Sequence, residues 1–510
     1  MGDIDIGSYG GPGVGPAGHA TGARAWPYGG PGAAPGWPTG PVGPVAGPPS
    51  RRRRRRTVPA VVAAVVAVAV AAGAAAVWWR PGGTGHSPAA AGSPSSPQAG
   101  FDAQAGNDLQ KYAPIRAAVS ALFAARAAAL RSGDLSAWKA TVDPTRPALA
   151  KSQTMLFTNL RQLPLSRYSW GFDTTTQISG VPLPDSVKAT LGAADEEYCP
   201  GMVVTYQLRG FDPQPVKDPY VPLVVRRGSH WYVAGDRTRA ATFDESYDEP
   251  WTAGPIKVSV TRHAVVVVST RDASRLSALD TEADDAVAVV ESLWPSGWNH
   301  NVVLFASRDR DVFSSFVGRN GTTPDFSALS TAVGAFGRSR PESLRVVLNT
   351  AEVAPGSSFL PVLLRHEFTH VAQWNTHAPG TPLWAIEGIA EYTSYLHHLT
   401  LARVASHLVA LAKANRWPSH MPASVTFYGP DPGQTYHYDM AWLAWEYMSE
   451  RYGESTVKRV YARLSSIQAP MGSAAALKQE AATFPALLHI SETSFVKRVE
   501  AWTAQSFGPA

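Results

Sequence analysis

The sequence predicts an α+β protein: a disordered tail and one membrane-spanning helix, then two folded units. Three observations carry this. Six arginines, Arg51 to Arg56, stand one residue before 22 uncharged residues, Val58 to Trp79. Between residues 107 and 250, helical periodicity gives way to short β-rich runs. From residue 255 onward, strands and helices alternate up to an apolar helix at 360–374, and the rest is almost entirely helical.

Residues 1–56 form the tail. The first 50 are rich in Gly, Pro and Ala with few charges. Such a segment cannot bury enough apolar surface to offset the entropy of ordering it. Residues 57–80 are the expected transmembrane helix. Its apolar stretch is long enough to span a bilayer and too far from the terminus for an ordinary signal peptide. The arginine run puts the N-terminal side in the cytoplasm, Trp78 and Trp79 suit the outer interface, and everything after Arg80 is expected outside the cytoplasm. Charge agrees with this division. Residues 1–80 hold eight Arg, no Lys and two Asp, leaving 37 of the 45 basic and 38 of the 40 acidic residues to the remainder. The basic excess belongs to the anchor, so no nucleic-acid partner is expected. Cys199 is the only cysteine, which rules out an intramolecular disulfide and fits a buried thiol.

Residues 81–106, rich in Pro, Gly, Ser and Ala, read as a linker. The roughly 400 residues beyond exceed the usual size of one domain, so two units are expected. The first, 107–250, opens with an amphipathic helix from Leu109 to Ser132 whose stripe is Ile115, Val119, Leu122, Phe123 and Leu130. Ser132-Gly133-Asp134 ends it and Leu135 starts a short second helix. Strands are expected at Tyr168–Phe172, Met202–Leu208, Tyr220–Arg226 and His230–Ala234. Helices first and then a curved antiparallel sheet resembles the NTF2-like α+β cone, the resemblance resting on SGDLSAW (132–138) and HWYVAGD (230–236). Such domains serve as enzymes, pockets or spacers, so the resemblance assigns this unit no chemistry.

The second unit, 255–510, begins with strands at Ile256–Thr261 and Ala264–Ser269, a helix at Asp272–Trp294, a strand at Asn301–Phe305, a polar helix at 308–316 and a strand at Ser343–Asn349. Then comes His366-Glu367-Phe368-Thr369-His370, an HExxH pattern. On a helix, positions i and i+4 share a face, so both imidazoles can reach one ion, and Glu367 can approach a water on it. Ala378-Pro379-Gly380-Thr381-Pro382 forces a turn. A second helix from Leu383 carries Glu387 and Glu391, again at i and i+4, and brings one of these carboxylates back to the ion. Two His and one Glu leave a fourth position for water, as catalytic zinc requires.

HEFTHVAQ (366–373), the Pro-Gly turn and PLWAIEGIAEY (382–392) resemble the gluzincin metallopeptidases, especially the group related to thermolysin and the zinc aminopeptidases. The resemblance implies a Zn²⁺ cofactor, a peptide or protein substrate and a mixed sheet followed by a mostly α-helical lobe. It points to Glu387 as third ligand beside His366 and His370, to Glu367 as general base acting on a zinc-activated water, and to Glu391 as the support of a ligand histidine. Sixteen residues separate His370 from Glu387, a shorter gap than in those families, which implies a tighter turn. The resemblance further implies an edge strand for substrate backbone, with Leu344–Leu348 as candidate. A tyrosine opens a later helix in the related peptidases. Tyr438 matches it at the start of Met440–Arg451, with Tyr447 nine residues on, and is the candidate oxyanion stabiliser, with Tyr436 and His437 as lesser ones. His377, His397 and His398 match no ligand position. Helices are also expected at Leu399–Arg416, Thr456–Ile467, Ser473–Ala482 and Glu492–Ser506. The alternative is a catalytically silent peptidase-fold module that binds metal or protein at the cell surface, against which the intact Glu367 argues.

Overall fold

The computed structural model describes residues 97–174, 178–183, 185–235, 249–309, 327–334, 342–353, 356–396, 406–413, 417–427 and 434–507. The expected tail, the span at 57–80, nearly all of the expected helix at 308–316, and His397 and His398 lie outside them. All described residues belong to one compact unit in which helices and strands both take part.

Helix α1 runs from Pro97 to Ser132, so it begins inside the segment read as linker. Its expected stripe, Ile115, Val119, Leu122, Phe123 and Leu130, is buried. Gly133, at φ +77°, turns the chain out of α1, and the Asp134 carboxylate accepts from the Ala137 amide to cap α2 (Leu135–Ala140). Among the described residues one helical segment, Gln110–Ser132, is long and apolar enough to cross a membrane. It is a core helix instead. Its Arg126 is fully buried, donates to Thr141 (2.7 Å) and Gln153, and stacks on Trp138.

Helix α3 (Pro147–Leu160) follows, then β1 (Leu165–Phe172), the short α4 (Asp185–Ala189), β2 (Glu196–Tyr198), β3 (Met202–Leu208), β4 (Val216–Tyr220), β5 (Leu223–Arg227) and β6 (His230–Gly235). The single curved sheet expected here is two three-stranded antiparallel sheets, ordered β1-β3-β4 and β2-β5-β6. The expected strand Tyr220–Arg226 breaks at Val221-Pro222, since Pro222 has no N–H to continue a ladder. Cys199 is buried.

After α5 (Pro250–Ala253) come β7 (Ile256–Val260), β8 (Ala264–Ser269), a 3₁₀ turn (Thr270–Arg275), α6 (Leu276–Leu293), β9 (Val302–Ser307), β10 (Ala328–Val333) and β11 (Ser343–Asn349). They form a five-stranded sheet ordered β10-β11-β9-β8-β7, parallel through β8, β9 and β11 and antiparallel at both edges. The candidate edge strand Leu344–Leu348 is therefore interior, paired on both sides; among the described residues the edge beside it is β10. The sequence reading lacked β10 because its ALSTAV run is short and neither alternates cleanly nor is rich in β-branched residues.

The strands read as unbroken apolar runs because both faces of this sheet are covered. Ala264, Val266, Val268, Leu304, Val346 and Leu348 meet α6 and α7 (Leu360–Gln373). Val265, Val267, Val303, Phe305, Leu329 and Val347 merge with the aromatic core of residues 115–251. The rest is the helical lobe: α8 (Leu383–Ser394), α9 (Ser406–Lys413), α10 (Gln434–Tyr452), α11 (Glu454–Leu464), α12 (Ala474–Leu488) and α13 (Glu492–Phe507), closed around Trp384, Trp442 and Trp445.

Candidate metal centre

Helix α7 starts with Pro361 in its first turn, where a missing N–H costs nothing. Leu360, Leu363, Leu364, Phe368 and Ala372 seat it on the sheet. That seating is what holds His366 and His370, both 1% exposed, in the interior. The turn after α7 is tied to the end of α11: the Ala378 amide donates to Ser465 O (2.8 Å) and the Gly380 amide to Ile467 O (2.9 Å). This anchoring makes the short gap workable and returns the chain at Pro382 into α8. Gly388 then sets how closely α8 approaches α10, because a Cβ there would lie 2.8 Å from the Ala441 backbone.

The structure brings His366, His370 and Glu387 together, each with a ligand atom within 4.8 Å of the others. The two Nε2 atoms are 2.9 Å apart, and Glu387 Oε2 lies 3.4 Å from that of His366 and 3.5 Å from that of His370. On its other side His366 presents Nδ1 to Glu391 Oε1 at 3.3 Å. With the ring proton on Nδ1, facing that carboxylate, Nε2 would be the nitrogen offered toward His370 and Glu387. Glu367 is completely buried. Ser330 on β10 donates to its Oε2 (2.8 Å), while Oε1 has no hydrogen-bond partner among the described residues.

The electrostatics are those of buried imidazoles and carboxylates that favour each other's charged forms. Burial disfavours charge on His366, but Glu391, Glu387 and Glu367 outweigh it and lift its pKa to about 10. Burial likewise opposes ionisation of Glu387, yet His370 and His366 hold it down to about 2. Glu367 goes the other way: burial pushes it up, and His366, His370 and Ser330 offset this only in part.

A tetrahedral ion with bonds of about 2.0–2.1 Å needs ligand atoms about 3.3–3.4 Å apart. The two His–Glu separations match this, and the His–His separation is somewhat shorter. The donor set, two imidazoles and a carboxylate with a further carboxylate behind one imidazole, suits zinc.

Tyr438 lies in the first turns of α10, buried, with its ring edge-on to Phe427 at 5.2 Å. Tyr436 is half-buried with its hydroxyl 3.5 Å from Met440 Sδ, and His437 Nδ1 is 3.0 Å from Thr426 O. His377 meets the Tyr461 hydroxyl at 2.5 Å, and burial followed by the nearness of His370 lowers its pKa to about 3, so it stays neutral. Ser330 is the site residue that sequence reasoning missed. It lies 37 residues before Glu367 in a strand without a motif, and nothing local marks it. Compared with known proteins, the chain matches no protein-family model and no curated protein sequence.

Proposed function

We propose that this chain is a membrane-anchored zinc metallopeptidase of the gluzincin type, cleaving peptide bonds outside the cytoplasm. The observation that carries the reading is the convergence of His366, His370 and Glu387 on one point, with the partnerless Oε1 of a buried Glu367 belonging to the same charge cluster. Zinc held by these three residues would polarise a peptide carbonyl and lower the pKa of a water. Glu391 fixes the tautomer of His366. Glu367 takes the proton of the attacking water and passes it to the leaving amine. Tyr438 is the candidate donor to the carbonyl oxygen as it gains charge. An extended substrate would add to the edge strand β10 in place of the interior Leu344–Leu348.

Residues 107–250 fit an NTF2-like cone in having helices first and antiparallel strands after. Their core, with Phe123, Trp138 and Tyr206 buried and Trp170 packed against them, serves as a scaffold for the sheet. The arginine run and residues 57–80 supply the anchor and leave the tail in the cytoplasm.

The test is hydrolysis of casein and a peptide library by the full-length chain in detergent, beside Glu367→Ala. The wild type should cleave. The variant should lose about 10²–10⁴-fold in rate while keeping its zinc. Bound zinc without cleavage of any substrate would favour the silent binding module.

A further inference from the structure

We propose that Ser330, on the edge strand β10, is the positioning residue for the general base, so that the sheet edge and the catalytic carboxylate move as one unit. This rests on the peptidase reading above.

The period-2 geometry of β10 sends Leu329 and Val333 toward the core of residues 115–251 and Ala328 toward α7. Ser330 shares the α7 side with Ala328. It is a completely buried hydroxyl on a face otherwise made of Ala328, Val346, Leu348 and Leu304. Apolar packing does not call for a hydroxyl there. Its partners do: Ser330 Oγ lies 2.8 Å from Glu367 Oε2 and 2.9 Å from the Glu367 main-chain oxygen. One hydroxyl thus touches both ends of the same residue. A glutamate has three rotatable side-chain bonds, and a hydroxyl that gives its one proton to Oε2 while resting against the same residue's carbonyl restrains them. Oε2 accepts from Ser330, and Oε1, without a hydrogen-bond partner among the described residues, is the oxygen assigned to proton transfer.

The strand that carries Ser330 is itself held. β10 pairs with β11 over its whole length, from Ala328 opposite Leu348 to Val333 opposite Ser343. Thr331, next to Ser330, stands opposite Arg345, whose guanidinium is bound to Asp212. Glu342, at the start of β11, accepts from the Lys217 amide at 2.6 Å. Besides its own place on α7, the base is therefore referenced to the scaffold of residues 107–250 through β10 and β11.

The test compares Ser330→Ala, Ser330→Thr and Ser330→Val with wild type and Glu367→Ala in the full-length chain, by steady-state kinetics on a cleaved peptide and by zinc content. Thr and Val have nearly the same shape and differ in the hydroxyl, so this pair decides the matter even where Ala perturbs folding. Ser330→Ala and Ser330→Val should lose about 10–100-fold in kcat, with KM within about twofold and one zinc per chain. Ser330→Thr should recover most of the rate. Equal kcat for Thr and Val, or a wild-type kcat in a folded Ser330→Ala, would overturn the proposal and leave the peptidase reading intact. A wild type that cleaves nothing, with or without zinc, takes both down together.

Discussion

Two buried clusters of charge lie on opposite faces of the same sheet, and they are built in opposite ways. On the face toward residues 107–250, Arg345 is fully buried. Its Nη1 donates to Asp212 Oδ1 (2.7 Å), Ser343 Oγ (3.0 Å) and Leu344 O (2.9 Å), and its Nη2 to the Tyr206 hydroxyl (3.3 Å), which in turn donates to Glu249 (2.5 Å). Asp212 also takes the Leu208 amide at 2.7 Å. Donors face acceptors, and the positive charge is the protein's own. On the face toward α7, two imidazole nitrogens and a carboxylate oxygen face one another, with two more carboxylates close by. Under the reading proposed above, a cation would answer these groups. Burial and ionisable groups are common to both clusters. What separates them is composition: one, a clamp, is a guanidinium among carboxylates and hydroxyls, the other a pair of imidazoles converging on a carboxylate.

The comparison can be broken at either cluster. Arg345→Met should destabilise the protein by about 3–5 kcal/mol, because Asp212 is left buried without its cation. Chemical denaturation would measure this. The folded fraction should keep one zinc per chain, and a loss of zinc beyond the loss of folded protein would show that the clamp belongs to the site. A smaller effect is expected on the other face. Glu391→Gln keeps the shape but weakens the hold on His366 Nδ1, and zinc affinity should fall about 10–100-fold in a chelator competition with the fold unchanged. An unchanged affinity would mean that the 3.3 Å contact does not orient the ligand.

Much of this was legible because it is local. Met202–Leu208, Ala264–Ser269 and Ser343–Asn349 are strands with the expected bounds, and α8 begins at Leu383 as its preceding Pro382 implies. The seating of α7 follows from the apolar spacing around His366 and His370. The convergence with Glu387 follows from two i, i+4 pairs on helices joined by a Pro-Gly turn. The parts that stayed hidden are non-local. Helix α3 buries Gln153 and Asn159, polar residues that a periodicity reading places outside. Asn159 can be inside only because its amide reaches Trp251 O and Gly254 O, and Gln153 because it accepts from Arg126. The edge position of β10 depends on pairing order, and pairing order is not written in any one strand. Ser330 shares that origin: it has meaning only once β10 lies beside α7.

The most direct measurement is the zinc content of the purified full-length chain, by elemental analysis, for wild type and Glu387→Ala. The account predicts about one zinc per chain in the wild type and loss or strong weakening in the variant, since an imidazole pair alone leaves the ion without its charged ligand. No zinc in the wild type after reconstitution would contradict the metal centre outright. Full zinc in Glu387→Ala would contradict the three-ligand set and move the third ligand elsewhere, with Glu391 next.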